Sequence, residues 1–385
     1  MLLNTGDYRE RARRKLPRGL FEYIDRGTED ELALSRLRSS LDSVVLRPSV
    51  LSGHARREPG TTLFGRRFPT PLVIAPTALA GLVAHNGELK LARAAAALGI
   101  PFSVSTQSVT TIEEIRRAAQ DATLWFQLYV WRDRTLTADL LKRVRACDCE
   151  CLVVTADTQM SPNREYNQRN GFGIPFKPTL RNLVDMAVHP RWLLGVMLRY
   201  MLAGGVPTYG HYPAEYRSAI TRANVQEAVR LETNLSWGDV KRLRDEWPGK
   251  LVVKGVLSIE DAELALAVGV DGVVVSAHGG RNLDCLPSTA SCLSAIAEAF
   301  GDRMTILADS GVRRGTDVLK YLAMGAQGVM LGRLPLWGLA AGDEEGASSV
   351  LAMMLREMDT AMGLLGVADI AALRSPARWG IEAQH

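Results

Sequence analysis

No G-x-G-x-x-G run occurs in the 385 residues, so the chain carries no Rossmann dinucleotide fingerprint. Cysteine is scarce. Of the five, three stand in CDCEC (Cys147, Cys149, Cys151), whereas closed zinc sites want paired C-x₂₋₄-C spacings and a second pair. The alternation leads instead into the apolar run LVVTAD, as a strand edge would, and no histidine stands near. No metal site is expected, and the thiols read as reduced, in a cytosolic setting. Charge of one sign is also lacking: 46 basic against 42 acidic residues leave +4, which demands no nucleic acid. The opening MLLNTGDYRERARRKLPRG has no apolar core of signal-peptide type. Residues 68–87 and 94–112 are uncharged and long enough to span a bilayer, but Pro, Ser, Thr, Gln or Asn interrupt both. They read as strand plus loop. The remaining composition, 47% apolar and 23% charged, is that of a soluble globular protein.

What is present is a repeat of short apolar runs: PLVIAPTA (71–78), IPFSVST (100–106), LWFQLYV (124–130), CLVVTAD (151–157), KLVVKGV (250–256), GVVVSAH (272–278), MTILADSG (304–311) and GVMLGR (328–333). Most are near-continuous Val, Ile and Leu, as parallel strands covered on both faces require. Helical patterns such as GELKLARAAAALG and SIEDAELALAVG lie between them, the second opening on a Ser-x-x-Asp cap and closing on glycine. Eight β-α repeats predict an α/β protein, a closed (β/α)₈ TIM barrel in one domain over 1–385, with a six-stranded open sheet as the competing reading. Residues 1–65 precede the barrel and are expected to cap it. Neighbouring repeats take about thirty residues, but over ninety separate Asp157 from Lys250. That long insertion follows strand 4, on the face where barrel enzymes keep their active-site loops.

The strand ends carry residues a plain scaffold has no use for. They are Thr77 and Ala78, Ser105 and Thr106, Gln127 and Tyr129, Thr155 and Asp157, Lys254, Ser276 and His278, Asp309, then Gly332 and Arg333. Each alone is weak, but their convergence on one mouth is hard to explain structurally, since an unpaired buried polar group costs roughly 2–7 kcal/mol. DSGVRRG (309–315) and the Gly332–Arg333 pair supply backbone amides and arginines after strands 7 and 8, the usual phosphate position of this fold. A mononucleotide lying across the mouth would reach Lys254 and Gln127, and a flavin fits. The lysine would steady charge at its N1–O2 edge, and the Gln127 carboxamide would pair with the ring. In SAHGGRNLD (276–284), His278 can take a substrate proton, Asp157 can orient the imidazole, and Arg281 offers a fork to a carboxylate. Base and clamp three residues apart describe a 2-hydroxy acid site.

With LPRGLFEYIDRGTEDE, IAPTALAG, WFQLYVWRDR, VVTADT, NREYNQRNGF, VVKGVLS, SAHGGRNLD, ADSGVRRGTDV and VMLGR, nearly the whole chain resembles the FMN-dependent 2-hydroxy acid oxidases and dehydrogenases. The resemblance implies FMN as cofactor and oxidation of an (S)-2-hydroxy acid, mandelate- or lactate-like, to the 2-oxo acid. Reduced flavin would be reoxidised by quinone or oxygen. It implies His278 as base with Asp157 behind it, Arg281 and Tyr23 on the substrate carboxylate helped by Arg164, and Tyr129 near the substrate hydroxyl. Pro76, Thr77, Ala78, Ser105, Gln127, Thr155, Lys254 and Ser276 would hold the ring, and Asp309, Gly311, Arg313, Gly332 and Arg333 the ribityl and phosphate groups. A homotetramer is implied on the same ground. Two positions depart from the family pattern: Ala277 stands where asparagine is usual, and Gln107 where short-chain oxidases carry tryptophan. The alternatives are a flavin enzyme of this fold with a carrier-bound or peptide substrate, and a non-catalytic barrel that binds a phosphorylated ligand.

The insertion, 177–235, contains DMAVHPRWLLGVMLRYMLAGG (185–205), similar to the bacterial membrane-associated lactate and mandelate dehydrogenases. Leu193, Leu194, Val196, Met197, Met201 and Leu202 interleave there with Arg191, Arg199, Trp192 and Tyr200. Basic, aromatic and aliphatic residues mixed in this way compose a helix that lies in a membrane interface. The competing reading is a lid packed on the barrel or on a neighbouring subunit. The expected location is cytoplasmic, with peripheral attachment to the inner face of the cell membrane if the first reading holds.

Overall fold

Strands rich in Val, Ile and Leu on both faces must be covered on both. A computed structural model describes residues 1–172, 179–217 and 227–382, and in it eight such strands close into a parallel barrel. They are β1 (Leu72–Ile74), β2 (Phe102–Ser105), β3 (Leu124–Leu128), β4 (Cys151–Thr155), β5 (Lys250–Val256), β6 (Gly272–Val275), β7 (Thr305–Ala308) and β8 (Gly328–Leu331). β8 pairs with β1 to close the ring. The runs expected to be strands are therefore all strands, and the open-sheet reading falls.

Side chains alternate across each strand. Val73, Trp125, Val153, Val252, Val274, Leu307 and Met330 fill the barrel interior, while their neighbours pack outward on the helices. One step of two residues above this apolar layer come Gln127, Thr155, Lys254, Ser276 and Asp309. The polar residues of the mouth are thus the upward continuation of the interior-facing series.

The segment before the barrel serves both ends. Helices Arg18–Asp25 and Leu32–Ser43 bring Tyr23, Ile24, Leu34 and Arg38 to the mouth, and helix Thr5–Lys15, first in the chain, is tied to Arg18–Asp25 by Arg9 Nε and Nη2 on the buried Asp25 carboxylate at 2.7 and 2.6 Å. The hairpin Thr61–Leu63 and Arg66–Phe68 plugs the opposite end. There Phe64 meets the Trp125 ring at 5.6 Å and Thr61 Oγ1 donates to Gln327 O at 2.7 Å.

Of the insertion, residues 177–178 and 218–226 lie outside the described residues. Helix Leu180–Ala187 is followed by a helical stretch over 190–203 with one π turn at Leu193–Met197. Its inner side docks on the loop after β1: Trp192 Nε1 donates to Leu82 O at 2.7 Å, and Tyr200 Oη accepts from the Asn86 amide at 3.0 Å. Its outer side leaves Leu194, Leu198, Met201 and Leu202 exposed, as helix 180–187 leaves Leu180, Leu183 and Val184. Among the described residues no helix is long and apolar enough to cross a membrane.

Candidate active site

A cavity of about 880 Å³ opens at the C-terminal mouth, and seventeen of the nineteen residues expected at the site line it. Asp157 and Ser276 stand behind the wall. The β2–β3 register sets Ser105 beside Gln127. Ser105 Oγ donates to Gln127 Oε1 at 3.0 Å and the Thr106 amide does so at 3.4 Å. This fixes the carboxamide, and its Nε2 is left buried with no partner among the described residues. A buried unpaired donor costs about 1–3 kcal/mol, so this amide asks for an acceptor on a bound group.

On β5 alternation from Val252 turns Lys254 into the mouth, and the pairing register shifts just past it, between Lys254 and Val256. Lys254 Nζ lies 2.8 Å from Ser276 Oγ and 3.1 Å from Asp309 Oδ2. Burial pulls its pKa down, but Asp309 and Asp157 outweigh that and raise it, so the side chain is a held cation. Ser310 Oγ, at 2.7 Å, satisfies the other Asp309 oxygen.

Beyond β6 the backbone turns through three positive φ values, +50° at His278, +65° at Gly279 and +68° at Gly280. A side chain at 280 would have Cβ 2.7 Å from the Leu34 amide of the third cap helix, so only glycine lets the turn sit there. Ser276 Oγ accepts from the His278 amide at 3.0 Å and anchors the turn. His278 Nδ1 is 2.9 and 3.1 Å from the two Asp157 carboxylate oxygens. Burial pushes the imidazole pKa below its ordinary value, and Lys254 adds to this while Asp157 opposes it. For Asp157 burial works upward, yet the histidine and Lys254 win and hold it low. The carboxylate thus holds the imidazole through Nδ1 and leaves Nε2 without a partner among the described residues.

Arginines crowd both ends of the cavity. Arg281 Nη1 donates to the carbonyls of Tyr23, Ile24 and Arg26 at 2.6, 3.3 and 3.2 Å, at the end of the second cap helix. Its guanidinium lies over the Tyr23 ring at 5.1 Å, and among the described residues Nε and Nη2 have no partner. Arg164 Nε donates to Arg281 O at 3.1 Å, and its pKa is lowered by burial and by the Arg281 charge. Tyr129 is a firmly neutral phenol, pushed up to about 12 by burial and by Asp157.

At the far end Gly311 adopts φ +75° and Arg313 lies over the Trp337 ring at 5.0 Å. Arg333 spends Nε and Nη2 on the carbonyls of Ile24, Asp25, Arg26 and Gly279. Burial and the charges of Arg281 and Arg313 lower its pKa to about 9. Cations that depress one another in this way call for an anion between them. Gly332 has open space where a side chain would stand, and Pro76, Thr77, Ala78 and Thr155 complete the wall around the lysine. An unpaired carboxamide donor, a held lysine and an arginine cluster fit the ring, the N1–O2 edge and the phosphate of FMN.

Tyr209 and Tyr212 also line the cavity and were not singled out in the sequence. They arrive from the returning end of the insertion. The run PTYGHYP (207–213), dense in rings and histidine within a polar stretch, was the available signal.

Residues 12–379 match the family described as FMN-dependent dehydrogenase. The chain is 43% identical over 376 residues to an L-lactate dehydrogenase of Caulobacter vibrioides, covering 96% of each protein. It is 38% identical over 383 residues to an L-lactate dehydrogenase of Azorhizobium caulinodans, covering 99% of each. A crystal structure of the monotopic membrane protein (S)-mandelate dehydrogenase superposes with a TM-score of 0.92 at 36% identity, over 99% of this chain and 100% of that one. A mandelate oxidase superposes with a TM-score of 0.81 at 30% identity, over 100% of both chains. With the barrel, the cavity and these matches together, the chain belongs to the FMN-dependent dehydrogenases, the FMN enzymes that oxidise 2-hydroxy acids.

Proposed function

We propose that the protein oxidises an (S)-2-hydroxy acid, mandelate- or lactate-like, to the 2-oxo acid, with His278 as the base. The single observation that carries this is the His278 imidazole held through Nδ1 by Asp157 at 2.9 Å, on the same turn as Arg281, whose Nε and Nη2 have no partner among the described residues. The substrate carboxylate accepts from Arg281 Nε and Nη2, with Arg164 and the Tyr23 phenol beside it. The Tyr129 phenol donates to the 2-oxygen. His278 Nε2 takes a proton from carbon 2 or its hydroxyl, and Asp157 stabilises the imidazolium that results. Oxidation releases two protons and two electrons, and FMN, when bound, accepts the electron pair. Gln127, Thr155, Ser105 and the 76–78 backbone hold the ring, with Lys254 at its anionic edge. Gly311, Arg313, Gly332 and Arg333 hold the phosphate. Asp309 and Ser276 act on Lys254.

We infer further that the electrons leave to a quinone at a membrane surface. The exposed apolar side of the two insertion helices, with Leu180 at 79% and Leu202 at 80% exposure beside the exposed Arg181, Arg191 and Arg199, supports this. Homotetramer formation rests on the family alone, and light scattering tests it.

The decisive experiment is anaerobic mixing with lactate, glycolate, mandelate and long-chain 2-hydroxy acids while flavin absorbance is followed. Bleaching by one enantiomer of at least one acid supports the reading, and a flavin that none reduces overturns it. Reoxidation by a soluble quinone analogue faster than by oxygen supports the acceptor, and the reverse order identifies an oxidase.

A further inference from the structure

The turn over 207–213 is built as rigidly as the barrel mouth it meets. The Gly210 amide donates to Ser108 O at 2.9 Å. Three consecutive carbonyls are each held by an arginine: Gly210 and Tyr212 by Arg217 at 2.8 Å, and His211 by Arg143 at 3.1 Å. His211 is fully buried, with Nδ1 3.2 Å from Thr106 O and its ring edge-on to Phe126 at 5.0 Å. Burial pushes this imidazole down to about 4, so it stays neutral and keeps the turn docked. So much anchoring is disproportionate for a connecting loop.

What the turn presents is two tyrosines. Tyr212 stacks edge-on to Trp131 at 5.2 Å. Tyr209, 5.0 Å from Tyr212 between ring centroids, is 6% exposed, and its phenol has no hydrogen-bond partner among the described residues. Its hydroxyl shares its surroundings with the phenols of Tyr23 and Tyr129. A second aromatic pair, Tyr23 and Phe172 at 5.5 Å, lines the same cavity. A phenol that lines the cavity and has no acceptor among the described residues is free to donate to a bound ligand. Rings lining a cavity give an aryl group edge and face contacts worth about 0.5–1.5 kcal/mol each beyond burial, which a methyl group cannot make.

We propose that Tyr209 is a substrate-contacting, specificity-determining residue, its phenol donating to a substrate oxygen, and that Tyr212 and Phe172 select a 2-hydroxy acid whose 2-substituent is aryl. The assignment rests on the 2-hydroxy acid reading above. It makes the insertion part of the substrate site.

The test measures binding, without turnover, of two 2-oxo acids to the oxidised holoenzyme through flavin absorbance: phenylglyoxylate and pyruvate. FMN content is determined for each variant as a check on folding. The wild type should bind phenylglyoxylate more tightly than pyruvate. Tyr209→Phe should weaken both roughly ten- to hundred-fold while keeping FMN, since only a hydrogen bond to a charged acceptor is lost. Tyr212→Leu should weaken phenylglyoxylate and leave pyruvate unchanged. Tyr209→Phe with unaltered affinity for both acids overturns the contact, and equal or tighter binding of pyruvate by the wild type overturns the aryl selection. A wild-type flavin that responds to neither acid removes the 2-hydroxy acid reading and this assignment with it.

Discussion

Gly255 makes the room that Asp157 occupies: a Cβ at 255 would stand 2.6 Å from both Cβ and Cγ of the aspartate. Gly255 also adopts φ +107°, in the register shift that follows Lys254 on β5. Gly255→Ala should cost about 1–3 kcal/mol of stability through backbone strain. By displacing Asp157 it should lower the rate of flavin reduction by roughly 10²-fold, as misplacements near 1 Å do. Thermal melting and anaerobic stopped-flow separate the effects. An unchanged reduction rate would show that Asp157 is not needed where it stands.

Removing the imidazole is the sharper test. His278→Ala should retain FMN, because the ring and phosphate contacts come from other strands. Loss of a general base alone lowers the rate by about 10²–10⁴-fold. Near-normal bleaching by substrate would place the base elsewhere.

The pH dependence follows from the environment of the same residue. Burial holds the His278 pKa below its ordinary 6.5, and the base works only when neutral. The acid limb of kcat/KM should therefore have its midpoint below 6.5, with full activity above it. Asp157 raises this pKa, so Asp157→Asn should move the limb further down while lowering the plateau by roughly 10²–10⁴-fold. A limb that moves upward in the variant would contradict the charge pairing.

Arg281 holds the cap carbonyls and is proposed to clamp the substrate carboxylate, and two variants distinguish these roles. Arg281→Met should weaken a 2-oxo acid inhibitor by about 2–5 kcal/mol, because a buried carboxylate loses its charged partner. It should also lower the melting temperature, because the Tyr23 carbonyl loses its arginine donor and those of Ile24 and Arg26 keep only Arg333. Arg281→Lys keeps the charge without the fork and should recover part of the affinity but little of the cap stability. Inhibitor affinity unchanged in Arg281→Met would move the carboxylate clamp to another residue.

The barrel and its mouth were legible because both follow from period two. Runs such as Leu251, Val252 and Val253 admit no solvent face, and Lys254 two steps above Val252 breaks the pattern where function sits. His278 was legible for the same reason. Tyr209 and Tyr212 were not, because their place depends on the insertion folding back onto Ser108 and Thr106, a contact no local pattern encodes. Nor did the sequence tell that Arg333 would lodge largely among cap carbonyls, since that depends on where the second cap helix ends. In the insertion, the π turn at Leu193–Met197 resets the helix phase. Apolar residues that looked equivalent are thereby divided: Val196 turns to the barrel with Trp192, and Leu194, Met201 and Leu202 turn outward.

That division makes the membrane reading testable without disturbing the site. Deleting the insertion would remove Tyr209 and Tyr212 from the cavity, whereas the outward side chains touch nothing the chemistry uses. A variant combining Leu194→Gln, Leu198→Gln, Met201→Gln and Leu202→Gln keeps the docking bond from Trp192 to Leu82 and the buried Val196. Full burial of a leucine side chain contributes about 1.5–3 kcal/mol. If these four enter a lipid interface even partly, their replacement should abolish co-sedimentation with vesicles rich in phosphatidylglycerol. FMN content and dye-linked activity should remain. Replacing the exposed Arg191 and Arg199 with Gln should instead weaken binding in low salt by about 1 kcal/mol each, the contribution of a basic residue near an anionic surface. Wild-type protein that ignores such vesicles at low salt would leave the apolar side to a neighbouring subunit. The quadruple variant would then change the oligomeric state instead, which light scattering reads directly.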